Sequence, residues 1–417
     1  MQVDQERLRR DVERNGQFGA IDVDEGHGRT VLTGSDADRR AREFFVSRLE
    51  DAGLSVRVDA VGNIVGRWTP EGVDPDAAPV AAGSHLDSVP KGGIFDGPLG
   101  VYAALEAVRT LQASNADLRR PVDVVSFTEE EGARFSFGLL GSSVAAGVRT
   151  PEEALSLADD EGRTLGSHLQ NVGFAGDDDV HADEWSAWAE LHVEQGTTLE
   201  SAGNQVGVVD AITGITNCRV EVVGEADHAG ATPMDERSDA LTTASEFIVD
   251  FRRAAEEVVA STSPTAVGTV GRCDVAPNAR NIVPGHVELH MDIRDVEYES
   301  MNALADRARQ SLTRLERRAP VRTEFDRYRD QRPSRMADRC VEVALNAAET
   351  LDIGAQKMHS AAMHDTANVS SVTDTVLLFA PSRNGLSHNP LEWTDWDDCA
   401  AATDILATTL AELASDY

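Results

Sequence analysis

The chain has 417 residues, and 38 Lys+Arg against 72 Asp+Glu give a formal net charge of −34. At about 100–200 residues per domain this length suggests two or three domains with sizeable cores, and 41% hydrophobic residues argue against disorder. The acidity argues against nucleic acid or an anionic membrane as a partner, because both carry phosphate and would be repelled.

No apolar run reaches the roughly 18 residues of a membrane span, so none is expected. The N-terminus, Met1 to Arg7, lacks the apolar core of a signal peptide. Cys218, Cys273, Cys340 and Cys399 are far apart and form no CxxC pair, which reads as reduced thiols in a cytoplasmic protein. Lys91 and Lys357 are the only lysines. An acidic, Arg-dominated coat stays hydrated in concentrated salt, where a Debye length of about 3 Å at 1 M screens self-repulsion. The host therefore reads as salt-loving, with an ordinary acidic cytosolic protein as the alternative.

In chain order, residues 1–60 read as helical, with Ala41, Phe44, Phe45, Val46 and Leu49 near helical period and a stop at Gly53. Val56 to Val65 reads as a strand pair, and Thr69 to Ala78 as a loop rich in Pro, Gly and Asp. Then come a strand over 79–84, a helix over 100–111, a strand over 122–127 and another over 185–191. This βαβ rhythm predicts an α/β domain with a mainly parallel sheet. Near Gly207 the character changes. Strands are expected over 206–210, 218–223, 266–270 and 286–293, with helices over 237–255 and 301–315. That order, within about 115 residues, suggests a smaller ferredoxin-like α+β insert. After Tyr328 the first rhythm returns, with a helix over 335–351, a strand over 375–380 and a closing helix over 397–413. The expected division is residues 1–209 and 328–417 for one domain and 210–327 for the insert.

Five segments place metal-binding side-chain types at predicted strand ends or their loops. In Gly83-Ser84-His85-Leu86-Asp87-Ser88 the extended period of two puts His85 and Asp87 on one side, so Asp87 could hold the imidazole while the other ring nitrogen binds an ion. In Gly92 to Gly100 a lone Asp96 sits in a Gly-rich loop entering a helix, where its two oxygens could bridge two ions. Thr128-Glu129-Glu130-Glu131-Gly132 stacks three carboxylates after an apolar strand, which is costly without cations or protons. Glu190 to Gly196 carries His192 and Glu194, and Gly385 to Pro390 carries His388. Singly, each reads as a structural histidine or a solvated acidic turn. Together they fall where open α/β sheets bind ligands.

With GSHLDS, GGIFDGPLG, TEEEGARF, ELHVEQG, DHAGATPM, PNARNIVPG and GLSHNP in this order, the chain resembles, over nearly its whole length, the dinuclear-metal amidohydrolases of the M20 peptidase superfamily. Within it the likeness is to the hydantoinase/carbamoylase branch of N-carbamoyl-L-amino acid hydrolases, allantoate amidohydrolases and β-ureidopropionases. The resemblance implies two divalent ions per subunit, Zn or Mn, Co or Ni, with His85 and His192 on one, Glu131 and His388 on the other, and Asp96 between them. It implies Glu130 as general base and Asp87 as the group orienting His85. His228, from the partner subunit's lid, would stabilise an oxyanion, and Asn281 and Arg294 would bind the substrate carboxylate or ureido group. The insert would thus be a lid and dimerisation domain, with hinge motion near 209 and 328.

The implied reaction is hydrolysis of the linear C–N bond of an N-carbamoyl-L-amino acid, releasing amino acid, ammonia and CO2. Alternatives are allantoate or another ureido acid, an aminoacylase or dipeptidase of the superfamily, and a non-catalytic metal-binding scaffold. Two departures bear on substrate. Ile215 stands where allantoate hydrolases carry a substrate-binding Gln, and Ala361, Ala362 and Met363 replace glycines before His364-Asp365. Six carboxylates, Asp87, Asp96, Glu129, Glu130, Glu131 and Glu194, lie in or beside these motifs, and two ions would offset part of their charge. The rest of the −34 is a spread solvation coat. Activity and the thermal midpoint are expected to fall as salt is withdrawn; full stability at low ionic strength refutes the salt-loving reading.

Overall fold

Four apolar runs become strands buried along their whole length: Val80–His85, Val122–Phe127, Ala187–Val193 and Thr375–Ala380. Burial on both faces is what a parallel sheet covered by helices requires. The computed structural model, which describes residues 1–135 and 138–415, pairs these four in parallel. Seven of the sheet's nine strands run in the order 55–58, 64–68, 122–127, 80–85, 187–193, 375–380 and 206–212, and the short strands 334–335 and 355–360 pair with the last. Its centre is parallel, and both flanks are antiparallel.

Helix Pro98–Gln112 makes the crossover between strands 80–85 and 122–127. Proline at its start suits a position whose N–H has no helical partner. The helix is buried on nearly every side, packed on the sheet and on helix Trp396–Ser415. Gly100 permits this approach: a Cβ there would stand 2.1 Å from the Leu191 carbonyl oxygen.

The chain divides into two compact units, one of residues 1–210, 336–358 and 362–417 and one of 211–335 and 359–361. Residues 416 and 417, assigned above to the first domain, lie outside the described residues. In the second unit strands Gly214–Val223, Val267–Ala276, His286–Asp295 and Arg322–Gln331 form an antiparallel sheet. Their spatial order is fourth, first, third, second. With helices Ala240–Ser261 and Tyr298–Glu316 in the connections, this is the ferredoxin-like arrangement. Strict alternation of burial along His286–Asp295 puts Val287, Leu289, Met291 and Ile293 against Phe247, Phe251, Met301 and Leu304.

The expected boundary at 327/328 is corrected. Strand Arg322–Gln331 runs straight through it, and the second unit continues to Arg335. This strand is charged and largely exposed, and its register shifts between Arg327 and Arg329. The period-two pattern that would have marked it is therefore broken. All four cysteines are free thiols, and among the described residues no helix is long and apolar enough to cross a membrane.

Replacing Gly by Ala inside a helix ordinarily stabilises by about 1 kcal/mol. Here Gly100→Ala is expected to destabilise by about 1–3 kcal/mol through overpacking, read as a lower urea midpoint. An unchanged or higher midpoint refutes the close-approach argument.

Candidate metal centre

The register of the parallel core brings distant segments to one edge. His85 ends its strand opposite Phe127, and His192 lies opposite Phe379. The loops that follow carry the remaining candidates.

His85 is completely buried. Its Nδ1 lies 3.2 Å from the Asp87 carbonyl oxygen and 3.5 Å from Asp87 Oδ1. These acceptors favour a proton on Nδ1, which leaves the Nε2 lone pair free. Nε2 makes no hydrogen bond. His192 repeats the device, with Nδ1 3.0 Å from the Val193 carbonyl oxygen and Nε2 turned to Asp96.

Asp96 is the shared point. Its Oδ1 lies 3.5 Å from His85 Nε2 and 3.2 Å from His192 Nε2, and its Oδ2 lies 3.5 Å from His388 Nε2. Gly97 follows at φ 80°, and a Cβ there would strike the His85 ring at 2.5 Å. Glu392 secures the loop from below: its Oε1 accepts the N–H groups of Phe95 at 2.8 Å and Asp96 at 3.1 Å. Gln195 Nε2, at 3.1 Å, and the Ser387 hydroxyl both donate to Asp96 Oδ2.

The three glutamates diverge. Glu129, at φ 55°, turns away and accepts from the backbone of Arg134 and Phe135 at 2.8 and 2.9 Å. The N–H groups of Glu130 and Glu131 donate to Asp87 at 3.3 and 3.1 Å, so Asp87 steadies both the His85 ring and this loop. Glu130 Oε2 is 3.7 Å from His85 Nε2, and Glu131 Oε2 is 3.2 Å from His388 Nε2. Glu194, counted above among the motif carboxylates, caps helix Thr198–Ala202 instead, accepting from Thr198 and Leu199.

The electrostatics record a shortage of positive charge. Burial lifts Glu130 well above its ordinary value, His85 opposes this, and Glu131 and Asp365 add to it. Burial and Asp87 raise Glu129 to about 7, burial and Asp96 raise Glu392 to about 7, and burial and Glu190 raise Asp365 to about 8. Asp96 is held well below its ordinary value because His192 and His85 outweigh its burial.

Divalent ions fit this donor set. His85, Asp96 and His192 form one group, and Asp96, Glu131 and His388 another, each with ligand atoms within 4.8 Å of one another. Two ligands at about 2.0–2.1 Å from a tetrahedral ion stand about 3.4 Å apart, close to the separations here. Mixed imidazole and carboxylate donors suit Zn, Mn, Co or Ni.

The sequence reading missed several supports. Glu392 and Gln195 lie within six residues of named candidates, and their proximity was a usable signal. Arg29 carried none. It is fully buried and donates to the carbonyls of Gly93 at 3.0 Å and of Leu86 and Asp87 at 3.2 Å, joining the two loops that bear Asp87 and Asp96. His364 packs edge-on to His192 at 4.5 Å between ring centres, and burial, then His192, push its pKa well below the usual value.

In the second unit His228 lies exposed on the short strand Asp227–His228, paired with Ile282–Val283. Its Nδ1 accepts from the N–H groups of Gly230 and Ala231, each at 3.1 Å, which leaves Nε2 as the donor. Asn281 is exposed, and its carbonyl accepts from Ala229 at 3.0 Å. Arg294 is engaged by Asp292, with Nε to Oδ1 at 2.8 Å, and its Nη1 donates to the Ala361 carbonyl at 3.2 Å.

Chelator-treated protein is expected to gain about 3 kcal/mol of stability when Zn or Mn is present at about 100 times its Kd. His192→Ala should remove most of this gain in scanning calorimetry. An equal gain in the variant excludes this ligand group.

Residues 81–412 match the model for peptidase family M20/M25/M40. The chain is 37% identical over 412 residues to an N-carbamoyl-L-amino-acid amidohydrolase of Paenarthrobacter aurescens, covering 98% of each. It is 33% identical over 392 residues to a ureidoglycolate hydrolase of Arabidopsis thaliana, covering 92% of this chain and 81% of that one. A crystal structure of a hydantoinase/carbamoylase family amidase from Burkholderia multivorans superposes with a TM-score of 0.92 at 33% identity, covering 100% of this chain and 99% of that one. The family match and these likenesses agree: the chain belongs to peptidase family M20/M25/M40, among its amidohydrolases of the hydantoinase/carbamoylase group.

Proposed function

We propose that this amidohydrolase cleaves the linear C–N bond of an N-carbamoyl-L-amino acid, yielding the amino acid, ammonia and CO2. The observation that carries the reading is the Asp96 carboxylate, which presents one oxygen to His85 and His192 and the other to His388, with Glu130 beside them. His85, His192, Asp96, Glu131 and His388 would hold two divalent ions. When bound, the ions supply the positive charge that acidifies water and polarises a carbonyl.

The chain's own groups do the rest. Glu130 takes a proton from the attacking water and delivers it to the leaving nitrogen. Asp87 keeps the proton of His85 on Nδ1. His228, whose Nε2 is a donor, stabilises the developing oxyanion of the partner subunit's substrate, so the active form is a homodimer built through the second unit as lid. Arg294 grips the substrate carboxylate and Asn281 binds beside it. Free cysteines support a cytoplasmic setting.

A second reading, a ureido acid such as ureidoglycolate, is favoured by the Arabidopsis relative. Ile215 weighs toward the first. It is buried directly opposite Arg294 in the strand register and offers an apolar neighbour to whatever Arg294 binds.

Ammonia release is expected to be faster from N-carbamoyl-L-amino acids than from ureidoglycolate, allantoate or N-acetyl amino acids. A preference for any of the latter rejects the substrate assignment. Glu130→Gln should keep its metal content and lower kcat by at least about 100-fold; unchanged turnover rejects the role of Glu130.

A further inference from the structure

Arg294 and Asp292 are two residues apart on one strand, so both project from the same face of the sheet. Their side chains are 36% and 35% exposed. An ion pair this open adds little stability, so its geometry needs another reason. Asp292 meets the guanidinium along one edge, Nε to Oδ1 at 2.8 Å and Nη2 to Oδ2 at 3.3 Å. Asn217, the register partner of Asp292 on the neighbouring strand, donates from Nδ2 to Asp292 Oδ2 at 3.0 Å. On the other side Arg294 Nη1 donates to the Ala361 carbonyl at 3.2 Å.

A guanidinium has five N–H donors in a fixed plane. Three are taken here, one each on Nε, Nη1 and Nη2. Two remain, one on each terminal nitrogen, and that pair matches the two oxygens of a carboxylate.

We propose that Asp292, steadied by Asn217, is a positioning residue that fixes Arg294 so its last two donors receive the substrate carboxylate. The inference rests on the assignment of Arg294 to that carboxylate. Preorganisation is the gain: a long side chain already immobilised loses less entropy on binding. Asp292 therefore sets selectivity for an acid over its neutral amide without touching the substrate.

The test compares N-carbamoyl-L-leucine with N-carbamoyl-L-leucinamide as substrates of the metal-loaded enzyme. Asp292→Ala is expected to raise KM for the acid about two- to ten-fold, the cost of ordering one long side chain on binding. It should leave kcat near its original value and KM for the amide unchanged. Asn217→Ala should shift KM in the same direction by less. In an Arg294→Ala background Asp292→Ala should add nothing, because its effect passes through Arg294. Asp292→Asn, which keeps the side-chain shape, serves if the alanine variant fails to fold. An unshifted KM for the acid, equal shifts for acid and amide, or a full further loss in the Arg294→Ala background overturns the proposal alone. Inactivity of the unmodified enzyme on both compounds overturns the substrate reading and this proposal with it.

Discussion

Buried negative charge at the end of a parallel sheet is the constraint from which the rest of this protein follows. Asp87, Asp96 and Glu129 are almost wholly withdrawn from water, and Glu130 and Glu131 lie close by. Isolated ionised carboxylates in such a place are expensive, and they persist only when paired, protonated or bound to cations. The local supply of protein cations is small. Arg29 sits within this field, but its Nε and Nη2 donors go to three carbonyls rather than to the carboxylates. His85 and His192, each with Nδ1 directed to a carbonyl or carboxylate, turn Nε2 toward Asp96. A site with this balance is completed by metal.

The surrounding structure serves to hold these groups at the required separations. Glu392 ties down the Asp96 loop, Asp87 ties His85 to the glutamate loop, and Arg29 ties the Asp87 loop to the Asp96 loop. Each support is a buried group with backbone partners, which fixes direction more tightly than a surface contact does. Gly97 and Gly100 do the opposite work, giving up side chains where the His85 ring and the Leu191 carbonyl come too near.

The second unit has a different economy. Its two helices bury one face of the antiparallel sheet, and the other face carries cross-strand polar pairs such as Asn217 with Asp292. On that face the proposed recognition of substrate rests on donor geometry, not on burial. Arg294 has three donors held by Asp292 and Ala361 and two left over, whereas His228 has its Nδ1 acceptor held by Gly230 and Ala231, which leaves the Nε2 donor. Leftover donors of fixed direction are what an anionic or polar ligand reads.

Much of this was legible in the chain. Mainly apolar runs announced the parallel strands, and period-two alternation announced His286–Asp295, because burial on two faces or one dictates those patterns. The segments carrying His85, Asp96, the glutamate run, His192 and His388 stood out because metal-binding chemistry restricts residue types, and the structure brings candidate donors from all five together; the choice of Glu131 within its run rested on the family resemblance. Three things could not be read. The strand Arg322–Gln331 is charged and has no fully buried residue, so burial left little mark on its sequence. The separate fates of Glu129, Glu130 and Glu131 depended on a left-handed residue and on hydrogen bonds to Asp87 from another loop. Arg29 and Glu392 act across 57 to 297 residues of chain, and contacts of that span exist only once the strands are in register. Composition and pattern therefore determined which chemistry this protein carries. Tertiary structure alone decided which carboxylates face it, because the direction of a side chain is set by neighbours that the sequence keeps far apart.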